Sequence, residues 1–509
     1  MRAEATMKNS AWGLFQQFII CILSLFSRRV MIEAIGLEGV GLNGLMTNVV
    51  AVLSIADMGI SAAIVFHMYK PLANGDTETM TRLMNFYRTV YRLIALTITV
   101  VGLCLMPFMK YIVHDVSYTD GYVRLIYCLF LLQTSTSYLF SYKRSIISAD
   151  QKQYIISIFD LIFKIVTVIL GIVILKLTSE LAYYLIFLIL AAAVNNILIS
   201  KKADSLYPYI KNTKPALPEE ERKSIFKDVK NIFNGRISAT ITNSTDNILI
   251  QWFVGTIAVG LYSNYTIILN TLTSIMNQFS YSMTGSIGNL LATETGEYIE
   301  EVLEKLVFIM FFMASFCCIC LCCLIDPFIS LAFGPGLLLQ RYVVYTAVAV
   351  FYFATVKIPV WNMVQASGLF KTDKFISIAG STINLIVSFI LGNLIGIAGI
   401  LIGTVCTYVI QYNLKVILLY KKFLKRNFSK VLILTYSYFL LTAAECLAMS
   451  FLTKSLPIPN PYVKFIISAF LAALAGVGVN ALIFGKKKEF VYFRDKFFSI
   501  LKKRGMSGN

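Results

Sequence analysis

Apolar runs of about 20 residues, each long enough to carry an α-helix across the ~30 Å hydrocarbon core of a bilayer, recur along the whole chain. Lipid offers no partners to backbone N–H and C=O groups, so such runs fold as helices that satisfy themselves. Fourteen spans are expected, near 11–34, 40–66, 87–110, 122–142, 154–176, 180–200, 231–254, 259–291, 303–325, 340–364, 375–393, 396–419, 431–453 and 462–484. Only 14% of the 509 residues are charged, against about a quarter in soluble domains, and the mean hydropathy is +0.73. The fold class is an all-α polytopic membrane protein. Residues 1–10 are short and polar, and the first apolar run is long enough to be retained as a span, so no cleaved leader is expected.

The net charge of +18 bears on orientation rather than on nucleic acid, because Lys and Arg concentrate on the cytoplasmic side of membrane proteins. With the N-terminus inside, 34 of the 45 basic residues fall in the N-terminal tail, the inner loops and the C-terminal tail and eight on the outer side, leaving three assigned to spans, with Arg28 at a span boundary. Both termini are therefore expected in the cytoplasm. The tail residues Lys486, Lys487, Lys488, Lys502, Lys503 and Arg504 are expected against anionic lipid. Cys317, Cys318, Cys320, Cys322 and Cys323 suggest a metal cluster by number. Helix neighbours point apart, however, and no His or carboxylate lies among them before Asp326, so they read as small packing residues. Neither metal nor cofactor is expected.

A polar stripe occurs twice. Gln17, Cys21, Ser24 and Arg28 share one helical face, and a shift of 219 gives Arg236, Thr240, Asn243 and Asn247 on one face of the seventh span, extended by Gln251. The same shift relates IGLEGVGL (Ile35–Leu42) to VGTIAVGL (Val254–Leu261), and a shift of 220 relates LMPFM at 105–109 to IDPFI at 325–329. Each half has six spans and starts on the same side, as parallel repeats do. The expected organisation is an N-lobe at 1–200, a cytoplasmic linker with three prolines at 201–230 and a C-lobe at 231–420. Two extra spans at 421–485 and the basic cytoplasmic tail at 486–509 follow.

Polar faces on matched helices indicate a cavity, and ionisable residues in spans are costly enough that each needs a reason. Arg28 either lines that cavity with Gln17 and Ser24 or snorkels to the outer interface; Arg29 is beside it, and Glu33 is close enough to neutralise one of the two. In the seventh span Arg236, Asn243, Asn247 and Gln251 are binding candidates, with Asp246 about 100° away. Lys357 has no local carboxylate, and Asn362 and Gln365 lie close by in sequence. Asp160 and Lys164 are spaced to neutralise each other, with a ligand role as the alternative, and Asp57 could couple to a cation or bridge to an arginine. Asn270, Ser274, Asn277 and Tyr281 form a further stripe, for which helix–helix bonding competes with cavity lining. Excess positive charge inside spans favours an anionic substrate, most simply a phosphate or diphosphate. No Walker A sequence, nucleotide-binding domain or nucleophile arrangement is present, and His67 and His114 lack partners suited to catalysis, so the chain does not read as an enzyme. The short outer loops, 111–121 and 326–339, also weigh against a sugar polymerase or ligase.

The segments RRVMIEAIGLEGVGLNGLMTN, LSIADMGISAAIVFHMYKPLANGD, KRSIISADQKQY, TDNILIQWFVGTIAVGLYSNY and QASGLFKTDKF resemble the polysaccharide branch of the multidrug/oligosaccharidyl-lipid/polysaccharide (MOP) exporter superfamily. These are the Wzx-like O-antigen and capsule repeat-unit flippases of bacteria, and the resemblance covers about residues 10–420. It implies two pseudo-symmetric, MATE-like six-helix lobes and a cavity that opens alternately to each side. It also implies that an undecaprenyl-diphosphate-linked oligosaccharide crosses the cytoplasmic membrane for surface polysaccharide biosynthesis. The implied partners are that lipid-linked glycan, membrane lipids, and a polysaccharide polymerase or glycosyltransferase. Arg28 with Arg29 would then bind diphosphate near the outer side and Arg236 with Lys357 nearer the inner side, while Asn243, Asn247 and Gln251 hydrogen-bond the glycan. Two related readings stay open. A lipid II flippase would be expected to carry more arginines in its first two spans, and a cation-coupled drug antiporter would have to use Asp57 or Asp246.

Overall fold

The computed structural model describes residues 2–54, 60–113, 116–212, 216–491 and 494–495. Inside its helices, the side chains of 2–15, 17, 61–63, 140–141, 228, 230–243, 278–286, 288–289, 292–293 and 370–371 lie outside that description. Among the described residues the regular structure is entirely helical. The main elements are α1 (Arg2–Leu53), α2 (Ile60–Asn74), α3 (Thr77–Leu105), α4 (Asp120–Ser141), α5 (Gln153–Thr178), α6 (Leu181–Leu206) and α7 (Glu219–Phe253). They continue with α8 (Thr256–Thr293), α9 (Gly296–Phe333), α10 (Arg341–Val356), α11 (Ile358–Ala366), α12 (Phe370–Leu419), α13 (Ser429–Ser455) and α14 (Pro461–Phe484).

The expected spans map onto these helices with three irregularities. Helix α1 carries the first span and part of the second, because Gly36 breaks it with a non-helical φ of 68° and ψ of 177°. Helix α12 carries the eleventh and twelfth, broken at Ile395 and Gly396 (φ 59°). The tenth is divided into α10 and α11 at Lys357, where Pro359 lacks an N–H and cannot continue the ladder. Among the described residues, eight segments are long and apolar enough to cross a membrane, with mean hydropathies of 1.7 to 2.8. Leu177, Phe451 and Leu482 are 80%, 76% and 87% exposed, which is costly in water and favourable in lipid.

The chain divides into two compact units, 1–267 and 268–509. In the first, Leu42, Leu45, Met46 and Val49 of α1 pack with Ile126, Tyr127 and Phe130 of α4 and Leu181 and Leu185 of α6. A second cluster joins Ile64 and Met68 of α2 to Tyr87, Tyr91 and Ile94 of α3, and takes in Tyr207, Ile210, Leu217 and Ile225 from the 201–230 segment. That segment is therefore seated on the first unit, with Thr81 donating a hydrogen bond to the Tyr209 carbonyl at 3.1 Å.

The 219-residue register is visible in backbone geometry. Gly36 and its repeat mate Gly255 both take positive φ, 68° and 108°, a conformation that favours glycine. Five residues on, Gly41 and its mate Gly260 make reciprocal approaches. A Cβ at Gly41 would overlap the Thr256 carbonyl oxygen, and one at Gly260 would overlap the Leu37 carbonyl oxygen. Leu37 and Thr256 are themselves repeat mates. The crossing of α1 and α8 is thus close enough that only hydrogen fits at either position, in the manner of small-residue contacts in membranes.

In the second unit, α12 folds back at Gly396 into a hairpin whose two arms meet along a polar seam. Asn384 donates to Thr404 at 3.1 Å, Ser388 to the Ile400 carbonyl at 3.0 Å, and Gln411 to the Ser377 carbonyl at 3.3 Å. Helices α13 and α14 pack on α9 through Phe308, Phe311, Tyr438 and Phe484, with Phe311 and Tyr438 stacked at 4.0 Å. Replacing Gly41 or Gly260 with valine should cost about 1–3 kcal/mol through overpacking, read as a lower unfolding temperature of the purified protein. Valine at Gly44, where a Cβ finds ordinary van der Waals space, should cost less than at either.

Candidate functional site

In the first unit the second half of α1 presents Asn43, Thr47 and Ser54 toward Gln133 and Thr134 of α4 and Tyr184 of α6. Together with Val50, Phe130, Leu185 and Leu188 these enclose a cavity of about 390 Å³. The helix itself occupies several of the polar groups: Thr47 donates to the Asn43 carbonyl at 2.7 Å and Ser54 to that of Val50 at 3.0 Å. Gln133 and Thr134 belong to the run QTSTS (Gln133–Ser137), a mid-span polar stretch opposite in character to the exposed Leu125, Leu132 and Leu139 of the same helix. Tyr184 connects the cavity to the first stripe, because its hydroxyl lies beside Ser27 and Arg28. Arg28 is partly buried, and its Nη1 makes no hydrogen bond. Arg29 points elsewhere: it is exposed and paired with Glu33 at 3.0 Å, so Arg28 keeps its charge unneutralised by Glu33. Ser24 is partly exposed on the same helix.

In the second unit Lys357 sits at the α10–α11 break. Its ammonium lies 3.3 Å from the centroid of the Tyr408 ring and 5.3 Å from that of Trp361. On the other side, Lys415 is 4.5 Å from the Trp361 ring. The α12 hairpin brings Asp373 from one arm against Lys415 from the other, forming an ion pair, with Ser377 at 3.5 Å. Tyr408 and Lys415 lie seven residues apart, two turns along one face. Two cations and one carboxylate therefore share this cluster, and Lys357 is stabilised by ring quadrupoles rather than by an opposite charge, worth about 0.5–2 kcal/mol per contact.

The structure revises several expectations. Asp160 does not rely on Lys164. It takes Arg144 in a two-pronged pair at 2.6 and 3.1 Å and accepts from Asn195 at 2.9 Å, because the turn after α4 brings a planar guanidinium within reach. The Lys164 ammonium is left without an ion pair among the described residues. Gln251 is fully buried and accepts a hydrogen bond from Thr256 at 2.8 Å across the α7–α8 turn, so its carbonyl oxygen is occupied within the fold. Asn247 is partly buried, with Oδ1 unpartnered, and Asp246 is partly buried and engaged with a neighbour. Asn270, Ser274 and Asn277 are exposed. Asp57 and His114 lie outside the described residues, as do the side chains of Gln17, Arg236, Thr240, Asn243 and Tyr281. Lys415, Asp373, Trp361 and Tyr408 were missed by the sequence reading. The signal available was the polar spacing Ser377, Ser381, Asn384, Ser388 opposite Thr404, Thr407, Gln411, which announces a hairpin.

No protein-family model matches the chain, and no curated protein matches it. Solved structures do. The chain has the MurJ and MATE fold. A structure titled as the lipid II flippase MurJ in an inward closed conformation superposes with a TM-score of 0.69, at 14% identity, over 92% of this chain and 98% of that one. An inward-facing multidrug resistance MATE family transporter of the MOP superfamily gives 0.56 at 12% identity, covering 85% and 98%. The MATE multidrug transporter DinF-BH gives 0.54 at 17% identity, covering 82% and 95%.

Asp373→Asn should strand Lys415 as a buried, unpaired ammonium and destabilise the protein by about 3–5 kcal/mol, whereas the double change Asp373→Leu with Lys415→Met should recover most of that loss. Thermal unfolding of the purified variants in detergent checks both outcomes.

Proposed function

We propose that this protein is a transporter of the MOP type that flips a polyprenyl-diphosphate-linked oligosaccharide, most simply an undecaprenyl-diphosphate-linked repeat unit, across the cytoplasmic membrane by alternating access. The observation that carries this reading is unneutralised positive charge in spans. Arg28 keeps an unpartnered nitrogen beside Tyr184, and Lys357 rests on aromatic faces with no carboxylate paired to it among the described residues. A partly buried cation lacking a fixed counter-charge is poised for a mobile one, and a diphosphate supplies two or more negative charges with several acceptor oxygens. Arg28 takes the diphosphate nearer the outer side and Lys357 takes it nearer the inner side; Arg236 belongs with Lys357. The 390 Å³ cavity of the first unit, with its neutral amide and hydroxyl lining, suits sugar hydroxyls. Asn43, Thr47 and Gln133 there take the part that Gln251 cannot while it is tied to Thr256. Both termini face the cytoplasm on this reading, and a polymerase or glycosyltransferase would meet the protein at the membrane.

Lipid II transport is the second reading, favoured by the superposition on a structure titled as a lipid II flippase. The two substrates share the polyprenyl diphosphate and differ in the sugar. Deleting the gene separates them. Loss of surface polysaccharide, with lipid-linked oligosaccharide accumulating on the inner side, is the expected result; arrest of cell-wall synthesis would favour lipid II, and altered drug tolerance alone would overturn both. In the complemented strain, Lys357→Glu and Arg28→Glu should each lower glycan export at least tenfold at wild-type membrane levels, while Lys357→Arg retains most of it. Undiminished export by the Glu variants would remove the anion-binding role.

A further inference from the structure

One ionisable group deep in the second unit has no part in the reading above. Glu445, near the middle of α13, is buried, as are Ser315 of α9 and Asn480 of α14. Its Oε2 accepts hydrogen bonds from Ser315 Oγ at 3.0 Å and from Asn480 Nδ2 at 3.4 Å. Asn480 Nδ2 also donates to the Gly476 carbonyl at 3.0 Å, and it lies 3.3 Å from Ser315 Oγ. The two remaining oxygens, Glu445 Oε1 and Asn480 Oδ1, are both buried, and neither finds a partner.

No Lys, Arg or His among the described residues pairs with Glu445. Cys446 follows Glu445 on α13 and is itself set against Cys318, Cys322 and Cys323 of α9, while α14 contributes the neutral Asn480 at this level. Two pairs of charges further along these helices are mutually engaged, and Lys464 of α14 bonds the backbone carbonyls of Lys454 and Leu456. Asp326 holds Arg341, which also bonds the Cys322 carbonyl and Ser450, and Glu304 holds Lys430 at 2.7 Å.

A carboxylate at this depth would be a buried negative charge with no counter-ion, which is the arrangement buried sites avoid. The hydrogen-bond count leads to the same conclusion independently. The junction has two orphan acceptors and no orphan donor, so one added proton turns an acceptor into a donor and removes the imbalance. We propose that Glu445, Ser315 and Asn480 form a proton-binding site, with Glu445 held as the neutral acid, its proton on Oε1 and its Oε2 serving as the carbonyl oxygen that Ser315 and Asn480 address. Binding takes up one proton and releases nothing. The site does not depend on the identity of the transported substrate, and it adds to the second unit a titratable group distinct from Asp57, Asp160 and Asp246. Any transport step that parts α9 from α13 and α14 would wet this carboxyl and let the proton leave.

Infrared spectroscopy of the full-length protein in lipid nanodiscs tests this directly. At pH 7 the native protein should show the C=O stretch of a neutral carboxylic acid that is absent from E445Q, and S315A should move that band to higher frequency by removing one hydrogen bond to the carbonyl oxygen. E445Q should keep the native unfolding temperature, since its amide replaces a group that was already neutral, while E445A lowers it. Should E445Q fail to insert, the shift in S315A alone assigns the band. Absence of a neutral-acid band that responds to either change overturns the proposal. So does a sodium-dependent rise in unfolding temperature that E445Q abolishes, which would make the site one for a monovalent cation.

Discussion

In the hydrocarbon layer no water stands ready to accept or donate a hydrogen bond, so every polar atom must be answered from within the protein. This constraint runs through the structure from the smallest scale upward. Hydroxyls on spans bond back to the carbonyl one turn earlier, as Thr47 does to Asn43 and Thr442 to Tyr438. At the next scale the arms of α12 zip together through Asn384, Ser388, Thr407 and Gln411, which leaves Asn384 Oδ1 without a partner, and the hairpin offers apolar residues such as Phe389 and Ile390 outward.

Charges obey the same rule with higher stakes. Asp160, Asp326 and Asp373 each hold a cation, and in each case the partner comes from another element or from the far side of a turn. These pairs fix how helices meet: Asp373 and Lys415 lock the two arms of α12 in register, and Asp160 ties α5 to the turn that precedes it. Against that background the unbalanced groups stand out. Among the described residues Arg28, Lys164 and Lys357 have no carboxylate paired with them, and on the proposed function a site that holds an anion only part of the time has to be left in deficit. If Arg28 and Lys357 bind a diphosphate as proposed, a permanently bound carboxylate at either position would compete with it.

The architecture was largely readable from apolar run length, because a bilayer imposes one helix length and one backbone solution on every span. The repeat was readable too, since Gly36 and Gly255 announced themselves as glycines at matched positions before their backbone angles were known. Partners were harder. The spacing of Asp160 and Lys164 is that of a helical ion pair, yet Arg144 offers a fork of donors that an ammonium cannot match, and nothing in local spacing reveals a residue brought in by a turn. Lys415 drew no notice in the sequence, since its carboxylate lies 42 residues away. Gln251 looked like a cavity residue because helical periodicity gives a face but not what covers it; here the α7–α8 turn folds Thr256 back onto it.

The reciprocal contact of Gly41 with Thr256 and Gly260 with Leu37 has the form of an isologous interface, in which one patch meets its own copy across a two-fold axis. Such a contact needs a single sequence solution that serves twice. Each half supplies one glycine that meets one carbonyl of the other. The geometry demands the same answer at both positions, so hydrogen is the side chain at each, whereas Arg28 and its counterpart Asn247, free of that demand, differ in charge.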